Sequence, residues 1–130
     1  MPLAELVAPL VRLAATTIAA LFAGSAFAGP ADVLSAKAEP LGQGRYQVSA
    51  TVQHADEGWD HYANAFEVLA PDGTLLGTRV LHHPHVDEQP FTRSTTLSVP
   101  DDLTEIVVRA LDSVHGAGGA EVVVPLPDRQ

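Results

Sequence analysis

From Asp32 onward, apolar side chains recur at about every second position in short runs broken by Pro, Gly and Asp. That period puts alternate residues on opposite faces of a half-buried strand, not on one side of a helix. The pattern predicts seven strands. The clearest is Arg45 to Gln53, where Tyr46, Val48, Ala50 and Val52 alternate with Arg45, Gln47, Ser49, Thr51 and Gln53. The apolar set faces the core, and His54 continues its parity. Val33 to Ala38 is weakly patterned and reads as an edge strand, ending in the breaker-rich turn Glu39 to Gly44.

A central third strand is expected from about His61 to Leu69, with Tyr62, Asn64, Phe66 and Val68 on one face and Glu67 on the other. Ala70-Pro71-Asp72-Gly73 carries Pro and Gly where a type I turn wants them, so a hairpin leads to strand four, Thr74 to Leu81. Strand five, Phe91 to Val99, places Arg93 on the same face as Phe91, Thr95, Leu97 and Val99. Strand six, Thr104 to Leu111, turns Ile106, Val108 and Ala110 inward, with Asp112 following in parity. The glycine-rich loop Ser113 to Gly119 leads to strand seven, Ala120 to Leu126.

Seven short strands with turns every eight to twelve residues read as an all-β, seven-stranded antiparallel β-sandwich, immunoglobulin/fibronectin III-like. Leu103 to Asp112 resembles the sixth strand of fibronectin III domains, although Ile106 stands where that family carries a tyrosine. Gly58-Trp59-Asp60-His61-Tyr62, His83-Pro84-His85 and Gln89-Pro90-Phe91-Thr92-Arg93-Ser94 together resemble small exported bacterial proteins of unassigned function. That resemblance implies export and no activity.

The beginning of the chain changes the picture of where this domain works. Arg12 precedes an uncharged run, Leu13 to Ala23, and Ala26 and Ala28 are the small residues a signal peptidase accepts. Residues 1–28 are expected to be a signal peptide and residues 29–130 the β-sandwich domain, which places the protein in the periplasm or outside the cell. The apolar run is shorter than the ~20 residues of a membrane-spanning helix, so no permanent membrane anchor is expected. With no cysteine, the domain relies on its core and has no thiolate chemistry. The net charge of −9 is unchanged by removing Glu5 and Arg12. It argues against nucleic acid and favours cations or a basic protein partner.

The chemistry concentrates in six histidines, three of them in His82-His83-Pro84-His85. If successive strands run antiparallel, the second, fourth and sixth connections share one pole. These carry His54 and His61, then His82, His83 and His85, then His115; the other connections carry none. Three readings follow. In the first, the polar residues only tie loops together, with Arg93 paired to Asp112 or Glu88. In the second, His83 and His85, with His54, His61, His115 and Asp112, bind a divalent transition metal, zinc or copper(II). Proline between His83 and His85 stiffens an extended segment in which both side chains point the same way. Copper(I) is disfavoured because the mature chain offers no sulfur.

In the third reading the same loops recognise a protein or small ligand through Trp59, Asp60, Arg93 and Glu88, although a lone Trp is more often a lid on the core. Catalysis carries less weight. Asp112, Ser113 and His115 lie too close along one loop for a hydrolase triad. Asp56, Glu57, Asp60, Asp87 and Glu88 are acidic-loop residues of the kind that usually face solvent, though they could also hold calcium or serve as an acid–base pair.

Overall fold

A computed structural model describes residues 29–127. The expected signal peptide lies outside them. Seven strands form two facing antiparallel sheets: β1 (Asp32–Gly42), β2 (Arg45–Gln53), β3 (Ala63–Leu69), β4 (Leu75–Val80), β5 (Phe91–Ser98), β6 (Glu105–Asp112) and β7 (Val122–Pro125). One sheet has the order β1-β2-β5 and the other β4-β3-β6-β7. Among the described residues there is no helix, and so none long and apolar enough to cross a membrane.

The inward parities meet between the sheets. Phe66, Ile106, Leu126, Val48, Val52, Val68 and Val108 are the largest fully buried side chains. Each such side chain contributes roughly 1.5–3 kcal/mol by leaving water, the main stabilisation open to a domain without disulfides.

Three strands depart from the expected limits by two residues or more, each for a local reason. β7 starts at Val122, not Ala120, because Ala120 is bonded to β1: its carbonyl accepts from Val33 N and its N–H donates to Asp32 Oδ1. β1 continues through Glu39 and Pro40, which pair with Gln47 and Tyr46, because a proline on an edge strand needs no ladder partner for its missing N–H. The turn shrinks to Gly42-Gln43-Gly44, all three at positive φ. β3 starts two residues late, at Ala63: the His61 N–H donates to Gly58 O and the Tyr62 N–H to Ser113 Oγ, so neither feeds a ladder. A register shift between Ala63 and Ala65 then separates Tyr62 and Asn64 from the face of Phe66 and Val68, and sets Ala63 opposite Asp112.

The pairings Asp32–Gln53, Val52–Phe91, Ala65–Val80 and Ala63–Asp112 bring the end of β2, the start of β3, the end of β4, the start of β5 and the end of β6 to one pole. The loops 54–62, 81–90 and 113–121 therefore meet there. The last is bound to β1 by Val33 N to Ala120 O (2.9 Å) and Ala120 N to Asp32 Oδ1 (2.7 Å). Gly119 lies so close to the start of β1 that a Cβ on it would collide with the Ala31 carbonyl oxygen.

Candidate metal centre

The inward face of β2 ends in His54, and that of β6 ends in Asp112; both are buried. His54 Nε2 lies 3.0 Å from Asp112 Oδ2. His61, brought over by the tight turn at Gly58, places its own Nε2 2.7 Å from the same oxygen and 3.2 Å from His54 Nε2. The three donor atoms are close enough to one another for a single ion. An ion such as Zn²⁺, held at about 2.0–2.1 Å from each ligand, sets tetrahedral ligands about 3.3 Å apart, so these separations need open by only a few tenths of an ångström.

The other face of each ring is also held by a carboxylate. Asp56 Oδ1 lies 2.6 Å from His54 Nδ1, and Glu57 Oε1 lies 2.9 Å from His61 Nδ1. A neutral imidazole has one N–H; spent at Nδ1 on the outer carboxylate, it leaves a lone pair at Nε2. Carboxylates behind ligating histidines are a common means of setting that tautomer. Two Nε2 lone pairs and a carboxylate oxygen crowded within 3.2 Å repel one another unless a cation, either a proton or a metal, lies among them.

Asp112 also organises loop 113–121. Its Oδ1 accepts from the backbone N–H groups of Val114 (3.2 Å) and His115, and its Oδ2 lies 2.8 Å from His115 Nδ1. The His115 ring lies 5.0 Å from that of His61 and is itself partly exposed to solvent. Burial pushes the Asp112 carboxyl up, but the His115 side chain and backbone N–H and the His61 ring more than reverse this and hold it well below the usual carboxylate range. The hydrogen bond to Asp112 raises the pKa of His61, against burial and with help from Glu57.

His83 and His85 form a separate ring pair, with centroids 4.6 Å apart. His85 is buried and stacked on Phe91 at 4.0 Å, and its pKa is lowered first by burial and then by the Arg93 charge. His82 is exposed. Of the two partners weighed for it, Arg93 takes Glu88, at 3.0 Å, and lies over the Phe91 ring. It is half-buried there, on the edge strand β5. Trp59 is no lid: it is 67% exposed and packs edge-on against Tyr62, beside exposed Asp60.

Two residues assemble this pole that sequence reasoning does not place there: Asp56, one of the acidic loop residues that usually face solvent but buried here, and Gln89, to which the pattern assigns no role. Asp56 continues the buried parity of Val52 and His54 and accepts from Ala63 N (3.0 Å) and His85 N (2.7 Å) as well as facing His54. Extending the alternation two residues past the strand would have found it. Gln89 accepts from His54 N (3.0 Å) through Oε1 and donates through Nε2 to His85 O (3.1 Å). Nothing in the sequence pattern signalled that bridge.

No protein-family model matches the chain, and no solved structure matches it. The chain is similar to a protein of Halomicrobium mukohataei named "Putative lipoprotein", with 40% identity over 94 residues that cover 72% of this chain and 46% of that protein. It spans about half the length of the curated relative it matches.

Proposed function

We propose that this is an exported β-sandwich protein that binds a divalent transition metal, zinc or copper(II), through His54 Nε2, His61 Nε2 and Asp112 Oδ2. His115 stands beside the centre. The observation that carries the reading is the crowding of those three atoms within 3.2 Å while Asp56 and Glu57 occupy the far nitrogens of both rings. The net charge of −9 favours cation uptake. Export rests on the expected leader, residues 1–28, with residues 29–130 as the mature domain, and is supported by a relative named a lipoprotein. The order β1-β2-β5 facing β4-β3-β6-β7 supports an immunoglobulin/fibronectin III-like kinship.

Metal analysis of untagged protein, with thermal unfolding before and after chelation, tests the reading. About one tightly held ion, lost with His61→Ala or Asp112→Asn, is expected; a tightly held ion that survives both substitutions would sink it.

A second reading, a recognition module for a protein or small ligand, is favoured by one observation. Each of the three loops at this pole exposes a large apolar side chain: Trp59 (67%), Val86 (54%) and Val114 (57%). In that case a co-purifying partner would be lost with Trp59→Ala and retained in chelator.

A further inference from the structure

The histidine loop holds a second unmet demand, apart from the first centre and sharing none of its ligands. The main chain of His85 is satisfied: its N–H donates to Asp56 Oδ2 at 2.7 Å, and its carbonyl accepts from Gln89 Nε2 at 3.1 Å and Glu88 N at 3.3 Å. The ring is only 5% exposed, yet neither of its nitrogens has a hydrogen-bond partner. Buried polar atoms in folded proteins are almost always paired, and an orphan calls for an unseen water or ion. The nearest opposing charge is Glu88 Oε1, 3.9 Å from His85 Nε2. That gap is too long for a hydrogen bond and close to what an ion spans when it sits about 2.0–2.2 Å from each ligand.

We infer that His85 Nε2 and the Glu88 carboxylate form a second site for a zinc- or copper(II)-class cation, with water completing its shell. Each residue suits its part. The His85 ring is held by Phe91, stacked on it at 4.0 Å and 10°, and the ring of His83 lies 4.6 Å away. Glu88 is 61% exposed and can close the last few tenths of an ångström without disturbing the core. His83 spends Nδ1 on Pro84 O (3.1 Å) and stands beside the pair rather than in it. Arg93 guards the site: its Nη2 donates to Glu88 at 3.0 Å, and an entering cation takes over that carboxylate. The exchange is cheap, since exposed ion pairs are weak and the guanidinium keeps Thr92 O (2.8 Å) and the Phe91 face.

Calorimetric titration of untagged, chelator-treated full-length protein with ZnCl₂, repeated with CuCl₂, tests this. Wild type should take up two equivalents, one tight and one weaker. His61→Ala should abolish only the tight one. Glu88→Gln, an exposed change that leaves the core untouched, and His85→Gln should abolish only the weaker one. Arg93→Gln should tighten the weaker one roughly fivefold, because a like charge beside the ion is removed. A single equivalent in wild type, a second equivalent that survives Glu88→Gln or His85→Gln, or a weaker second equivalent in Arg93→Gln would overturn the inference. Binding by exposed His82 and His83 alone falls under the second of these outcomes. Failure of the first centre reads out separately, as persistence of the tight equivalent in His61→Ala.

Discussion

His61 is the residue on which protons and metal compete. Its raised pKa means that, without metal, its contribution to stability is fully present below its unfolded value, near 6.5, and is lost as pH climbs through the folded value. Asp112 has the opposite sign: its lowered pKa gives stability that is present above about 3.8 and lost as pH falls toward the folded value. His85 opposes His61, because a buried histidine with a lowered pKa costs stability once the unfolded chain begins to protonate. The useful quantity is therefore the difference between wild type and His61→Gln. In chelator, wild type should lose its advantage as pH rises from mildly acidic to alkaline; with zinc the advantage should grow over the same range, since the ion needs the deprotonated ring. Unfolding midpoints at a series of pH values check this. A difference that stays flat in chelator would contradict the His61–Asp112 pairing.

Asp56 is the residue through which the loops are joined, and its role is positional. It accepts from Ala63 N, His85 N and the His54 ring, so Asp56→Ala leaves two backbone donors and a ring N–H without partners in a buried setting. A loss of about 2–4 kcal/mol in urea unfolding is expected, with metal affinity down roughly tenfold to a hundredfold. A loss below about 0.5 kcal/mol, within the range of ordinary surface changes, would mean the loops are held by other contacts.

At the scale of elements, loop 113–121, which Asp112 organises and which carries His115, is seated against the start of β1. Gly119→Ala drives a Cβ into the Ala31 carbonyl, a backbone atom that cannot swing aside. An overpacking cost of about 1–3 kcal/mol is expected in thermal or urea unfolding, with the tight metal equivalent retained. An unchanged midpoint would show that the loop can lift off the strand.

What the sequence revealed of these elements depended on contrast between neighbours. β2 was legible because Tyr46, Val48, Ala50 and Val52 alternate with polar residues, and the same parity extended to His54. The start of β3 was not, because Tyr62-Ala63-Asn64-Ala65 offers only small and amphipathic residues, and a register shift there leaves no mark in the pattern. The convergence of three loops on one pole followed from strand parity. Which histidines would meet did not, since that depends on Gly58 turning His61 inward and on Phe91 capturing the ring of His85. Trp59 leaves the core because the same turn at Gly58 lays it against Tyr62.

For the whole molecule, the arrangement separates stability from binding along the long axis of the sandwich. The largest core side chains lie between the sheets, while the buried polar groups His54, Asp56, His85 and Asp112 gather at one end. That end costs desolvation and returns little hydrophobic burial, so the domain gains there from an ion bound only by the folded state. Zinc at a hundred times its dissociation constant adds about 2.7 kcal/mol, which for a domain of about 100 residues raises the unfolding midpoint by roughly 10–20 °C. The shift should shrink in His61→Ala to what the weaker equivalent supplies, and persist in full in Trp59→Ala, whose ring is mostly in solvent. It should also persist in Asp72→Ala, a change in the 70–74 turn between β3 and β4, away from the histidine pole. A zinc shift undiminished in His61→Ala, or one abolished by Asp72→Ala, would mean that the ion acts through the acidic surface at large rather than through the histidine pole.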